Sequence, residues 1–192
     1  MPTSIKEAIK RWEQEKGIKP EEATEVKLIG LRPPIDRMDE NLNVFENVTK
    51  LSLSSNSIER FVPLPKLRQL KVLSLARNKI KRIISLEEVG QTLEELWLSY
   101  NEIEKLDGLQ PCVKLQVLYM SNNKINNWGE ISKLSQLQEI KSVLFIGNPI
   151  YEANKDAHDT NQAMVLKRVP TLESIDCKPV TNEVKRKAES ME

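Results

Sequence analysis

Five copies of one short pattern, L-x-x-L-x-L-x-x-N-x-I or a close variant, run in register through the middle of this chain. They are Val48–Leu51–Leu53–Asn56–Ile58, Leu70–Leu73–Leu75–Asn78–Ile80, Leu93–Leu96–Leu98–Asn101–Ile103, Leu115–Leu118–Met120–Asn123–Ile125 and Ile140–Val143–Phe145–Asn148–Ile150. The asparagines are spaced by 22, 23, 22 and 25 residues. A unit this short cannot bury its apolar edge alone, so neighbouring copies must stack and share a core.

That period and that consensus are the leucine-rich-repeat signature. Each letter has a physical reason. The L-x-L element is a short strand with sides alternating in and out, so the leucines enter the core and the residue between them faces out. The asparagine sits where the strand turns away, and its amide can bond backbone groups that have run out of ladder partners. Beyond it the apolar residues step by about three, as in Asn123, Ile125, Trp128, Ile131 and Leu134, which suits a short helix or 3₁₀ segment on the return. The fold class follows: an α/β solenoid with a parallel sheet on the concave face, short helices on the convex side and helical caps at both ends.

With 192 residues, one domain over 1–180 is expected. Residues 1–20 read as an N-terminal helical cap, 26–150 as the repeats and 151–180 as a C-terminal cap. Ser4 with Glu7 three residues on is a capping box, Ile5, Ala8, Ile9 and Trp12 share one face, and Gly17 is a natural stop. Val26-Lys27-Leu28-Ile29-Gly30-Leu31 followed by Pro33-Pro34-Ile35 reads as a degenerate first repeat, since terminal repeats are atypical. At the other end, residues 162–169 are helical in pattern and stop at Pro170, and Pro170-Thr171-Leu172-Glu173-Ser174-Ile175-Asp176 resembles the terminal cap of phosphatase-regulator-like repeats. Residues 181–192, with Lys185-Arg186-Lys187, read as a flexible basic tail.

Composition removes several classes of function. The net charge of +1 offers no global basic field for nucleic acid. No apolar run approaches the roughly 18 residues of a membrane span, and the polar, charged start is no signal peptide. Cys112 and Cys177 belong to no C-x-x-C unit and read as reduced thiols of a reducing compartment. His158 is the single histidine, set in a polar run over 155–159, so no histidine pair or histidine-rich metal site can be assembled. Neither a P-loop nor G-x-G-x-x-G nor G-x-S-x-G occurs. A non-catalytic protein without cofactor or metal is the expectation.

The informative residues are then the outward ones. The middle strand positions run Ser52, Ser74, Trp97, Tyr119, Leu144. At a strand spacing of roughly 4.8 Å, Trp97, Tyr119 and Leu144 should form one ridge, widened by Val72, Val117 and Ile146. Apolar patches of this kind mark interaction sites, and Trp and Tyr are favoured anchors; the alternative is a terminal arm folded over the sheet. A flat apolar sheet face suits a helix or small domain better than a metabolite. The second repeat also carries Arg77, Lys79, Lys81 and Arg82, which read either as a solvated rim balanced by Glu87 and Glu88 or as a site for an acidic partner such as tubulin.

The ordered strings resemble a known family. Ser4-Ile5-Lys6-Glu7-Ala8, Arg11-Trp12-Glu13, Pro33-Pro34-Ile35, Met38-Asp39, Lys50-Leu51-Ser52-Leu53-Ser54, Thr92-Leu93-Glu94-Glu95-Leu96-Trp97, Ser99-Tyr100-Asn101, Leu118-Tyr119-Met120-Ser121-Asn122-Asn123 and Gly147-Asn148-Pro149 together are similar to the axonemal dynein light chain 1 family, the leucine-rich-repeat light chains of the ciliary outer arm. The resemblance runs from Ser4 to about Asp176, with a longer Leu134–Val143 segment and a more basic tail as departures. It implies a non-catalytic motor subunit of the cytoplasm and cytoskeleton, located in the axoneme of a cilium or flagellum. The implied partner is a dynein heavy chain, bound at the microtubule-binding domain of the stalk tip through the sheet face, with tubulin or the microtubule as a further partner. A monomer before assembly is expected, with no nucleic acid and no membrane. The alternative from another class is a general repeat scaffold or phosphatase-regulator-like subunit.

Overall fold

The structure is a computed structural model, and it describes residues 1–154 and 157–191. Eight short strands form one sheet in chain order: β1 (Glu25–Lys27), β2 (Lys50–Ser52), β3 (Val72–Ser74), β4 (Glu95–Trp97), β5 (Val117–Tyr119), β6 (Ser142–Leu144), β7 (Ser174–Ile175) and β8 (Lys178–Pro179). β1 to β7 pair in parallel, and β8 returns antiparallel on β7. The degenerate stretch at Val26 and the terminal Ile175 therefore each supply a strand to the array.

The repeat leucines stack into one continuous core. Leu51, Leu73, Leu96, Leu118 and Val143 are register partners, all but fully buried. Each asparagine stitches two repeats together. The Asn101 Nδ2 donates to the carbonyls of Leu75 and Leu98, both at 3.0 Å, while its Oδ1 accepts the Ile80 N–H at 2.9 Å. Asn56, Asn78, Asn123 and Asn148 repeat the same three bonds. Buried backbone groups at the turn are satisfied in this way without further strand.

The residue before each asparagine is in the left-handed region: Ser55, Arg77, Tyr100, Asn122 and Gly147. This conformation costs a residue with a Cβ about 1 kcal/mol or more. It turns the chain sharply enough to aim the next side chain inward.

The expected short helix or 3₁₀ segment is formed in some return arms and not in others. After Asn123 the chain forms α2 (Trp128–Ser132) and a 3₁₀ segment, Lys133–Gln136. The arms after Asn56, Asn78 and Asn101 return through turns and irregular backbone. Pro63 and Pro65 interrupt the first, Ser85 takes positive φ in the second, and Gly108 at φ 93 and Pro111 break the third.

Both ends are covered. α1 (Ile5–Lys16) starts at Ser4, whose Oγ accepts the Glu7 N–H, and stops at the left-handed Gly17. The Glu7 carboxylate pairs with Arg11 rather than closing a capping box. Trp12 meets Phe45 edge-on at 5.6 Å, seating this helix on the first repeat. At the other end lies α3 (His158–Arg168). Residues 181–192, expected as a flexible tail, instead carry a helix, α4 (Asn182–Glu189), capped by the Thr181 hydroxyl and packed on α3 through buried Val184 and Ala188. Two apolar residues four apart suffice because α3 already presents a surface to receive them. Position 192 and the Lys155 and Asp156 of the polar run lie outside the described residues; His158 is exposed.

Candidate partner-binding face

Alternation along the strands puts three columns of side chains on the open face of the sheet. The first is Glu25, Lys50, Val72, Glu95, Val117, Ser142; the second is Lys27, Ser52, Ser74, Trp97, Tyr119, Leu144. The third, two residues further on, holds Ser54, Ala76, Ser99, Ser121 and Ile146.

Trp97, Tyr119 and Leu144 are direct register partners. The two rings stack with centroids 6.0 Å apart and planes 22° from parallel. The Trp97 Nε1–H donates to Glu95 Oε2 at 3.1 Å, which holds the indole against the sheet. Trp97 remains 37% exposed and Ile146 42% exposed; Val72, Val117, Tyr119 and Leu144 are half-buried among them. Neither terminal arm lies over this ridge, since α1 sits on the first repeat and α4 on α3.

Toward β1 the same face turns polar. A hollow of about 400 Å³ is lined by Glu25, Lys27, Lys50, Ser52, Ser74 and Trp97, among others. Glu25 pairs with Lys27 at 2.7 Å, which holds its carboxyl below the usual range. Ser52 Oγ donates to Ser54 Oγ at 3.1 Å, and Ser54 and Ser74 share a hydroxyl bond of 2.7 Å.

The four basic residues of the second repeat do not form one patch. The Arg77 guanidinium lies over the Tyr100 ring, 4.3 Å from its centroid. Lys79 is exposed nearby. Lys81 and Arg82 line a groove of about 790 Å³ together with Glu102, Glu104 and Asp107, of which Glu102 pairs with Lys124 and Asp107 with Lys133. The Arg77–Tyr100 stack escaped the sequence reading, because it depends on the left-handed turn at both residues.

Neither cysteine sits on the face. Cys112 is buried, and burial, with Glu87 nearby, pushes its thiol up to about 12. Cys177 is exposed in the β7–β8 turn. No helix among the described residues is long and apolar enough to cross a membrane.

Known proteins share this build. A family model described as leucine-rich repeats in two copies matches residues 91–136. Among solved structures, a leucine-rich-repeat protein of Leptospira interrogans superposes with a TM-score of 0.59 at 25% identity, covering 78% of this chain and 36% of its own. An internalin of Listeria monocytogenes gives 0.53 at 19% identity, covering 81% of this chain and 48% of its own. This chain spans less than half of either, and the likeness carries the fold alone. Much nearer in sequence are proteins named dynein axonemal light chain 1. That of Danio rerio is 55% identical over 179 residues, covering 93% of this chain and 92% of its own. The Homo sapiens protein is 52% identical over 178 residues, covering 93% of each. The Chlamydomonas reinhardtii protein is 50% identical over 180 residues, covering 93% of this chain and 91% of its own.

Proposed function

Because this chain belongs to the dynein axonemal light chain 1 family, we propose that it is a non-catalytic light chain of axonemal outer-arm dynein. Its place of work is the axoneme of a cilium or flagellum. The Trp97–Tyr119–Leu144 ridge, flanked by Val72, Val117 and Ile146, docks on a dynein heavy chain at the microtubule-binding domain of the stalk tip. Occupancy of that site alters how the tip engages the microtubule. Arg77, Lys79, Lys81 and Arg82 lie outside the ridge and are the residues offered to an acidic surface such as tubulin.

The observation that carries this reading is the exposed, stacked Trp97–Tyr119 pair, held in place by Glu95 on an otherwise wet face. Rigid aromatic anchors of this kind dominate binding energy at interfaces. The ridge is shallow and open rather than pocketed, which suits a protein surface more than a metabolite.

The test is a titration of this protein with a recombinant outer-arm stalk tip, comparing wild type with a Trp97→Ala/Tyr119→Ala variant. Wild type should bind, and the variant should lose roughly 100-fold or more while keeping its fold, as expected for two anchor residues. Failure of wild type to bind any outer-arm stalk tip would overturn the heavy-chain assignment. Equal affinity of the variant would overturn the assigned face.

A further inference from the structure

We propose that Lys50, with the hydroxyls of Ser52, Ser54 and Ser74 beside it on the sheet face, receives an acidic side chain of the bound partner and thereby fixes the direction in which the partner lies on the sheet. The proposal rests on the ridge being the docking face and adds the polarity of the docked segment.

Three observations carry it. Lys50 lies in the first column between Glu25 and Val72. Of the two acids lining the hollow, Glu25 pairs with Lys27 at 2.7 Å and feels Lys50 only at longer range, and Glu95 accepts from the Trp97 indole. Among the described residues, no carboxylate lies within ion-pair distance of the Lys50 ammonium.

The serines add a second donor. Ser52, Ser54 and Ser74 offer three hydroxyl protons, and two bonds among themselves use two. One O–H is left to donate, at a site where Ser74 is only 5% exposed. A cation with no close ion pair and a spare hydroxyl donor can together meet an anionic acceptor, and a carboxylate on a protein partner supplies it.

Geometry sets where that acid must stand. Ser52 lies two strands from Trp97 and four from Leu144. At roughly 4.8 Å per strand, the acid sits about 10 Å from the start of the partner's apolar stripe and about 19 Å from its end. At the far end of the ridge, on β6, the face offers Ser142, Leu144 and Ile146, with no cation in the three columns there. The two ends of the face are therefore unlike, and only one direction of the partner satisfies both. The chain's own termini are seated elsewhere, which leaves the partner docked on the ridge as the occupant.

The experiment uses the full chain and the recombinant stalk tip. Lys50→Glu, Lys50→Gln and Ser74→Ala are titrated beside wild type over a range of salt concentrations. Lys50→Glu should weaken binding at least tenfold at low salt and reduce the salt sensitivity, with Lys50→Gln intermediate and thermal unfolding unchanged, because Lys50 is exposed. Reversing the stalk tip's surface Asp and Glu residues to Lys one at a time should find one that restores binding to Lys50→Glu. Wild-type affinity and salt dependence in Lys50→Glu, with Trp97→Ala/Tyr119→Ala still defective, would overturn this inference and leave the ridge in place. So would a reversal scan in which no position restores binding. No binding by wild type would overturn the heavy-chain assignment and this inference with it.

Discussion

Asp176 accepts the Phe145 N–H at 2.7 Å through Oδ1, taking the place of the main-chain carbonyl that the two-residue β7 is too short to offer. In interior repeats the matching donors, Leu53, Leu75, Leu98 and Met120, each give their N–H to the next strand. The same Oδ1 accepts the Ile146 N–H at 3.2 Å, and Oδ2 accepts the Tyr151 hydroxyl at 2.8 Å. One carboxylate thus closes the ladder.

Asp176→Ala should therefore destabilise the protein by about 3 kcal/mol, because it orphans two buried donors and a part-buried one. Asp176→Asn keeps an acceptor and should cost clearly less. Denaturant unfolding followed by far-UV circular dichroism compares the two.

The same residue predicts a pH dependence. Burial raises the Asp176 carboxyl above its ordinary value, against the lowering effect of its Phe145, Tyr151 and Ile146 hydrogen bonds and of His158. A folded-state pKa above the unfolded one means that the folded protein binds the proton more tightly. That contribution is complete below the unfolded value of about 4 and is lost as pH rises through the folded value. Relative to Asp176→Asn, wild type should be more stable at pH 3 than at pH 6. Exposed carboxylates such as Glu25 and Asp107, whose values are lowered by lysine partners, act with the opposite sign but cancel in this difference. An unfolding series of both proteins at several pH values reads it directly.

Asn101→Ala should cost about 3 kcal/mol, since it strands the Ile80 N–H and removes a donor from the Leu75 and Leu98 carbonyls inside the core. Asn101→Asp keeps the acceptor but aims a carboxylate at two carbonyls, so it should not rescue. Equilibrium unfolding of the pair checks both.

Gly108→Ala should be worse than Gly147→Ala. A Cβ at either position clashes at positive φ, but at Gly108 it meets the Ile83 backbone carbonyl, while at Gly147 it meets the Asn122 side-chain amide, which can shift. Losses of about 3 and about 1–2 kcal/mol are expected, and differential scanning calorimetry ranks them.

The two thiols should separate cleanly. Cys177 is exposed and should react with a thiol reagent in the native state, whereas Cys112 is buried with its thiol pushed up to about 12 and should react only in denaturant. Counting modified thiols by mass before and after unfolding tests this.

The repeats were legible because the asparagine and leucines answer to a local rule that each copy restates. The ridge was legible too, since in-register strands carry Trp97, Tyr119 and Leu144 into one column. Less legible were features that depend on backbone turns or on neighbours distant in sequence. Ser55, Arg77 and Tyr100 give no sign of a left-handed turn, which glycine would have announced. α4 looked like a tail because its buried side is only Val184 and Ala188, although Thr181 three residues before Val184 is a helix-capping signal. The hydroxyl chain at Ser52, Ser54 and Ser74 joins two strands twenty residues or so apart and has no motif.

The return of β8 against β7 has a consequence for assembly. An open parallel edge is a template on which another chain can add a strand. Here the last parallel strand is only two residues long, its outer side is taken by an antiparallel partner, and that partner ends in Pro179, which has no N–H to offer. The sheet cannot propagate past this end into a filament of like chains. Lengthening the array at this end means inserting a repeat ahead of β7 rather than adding one after β8.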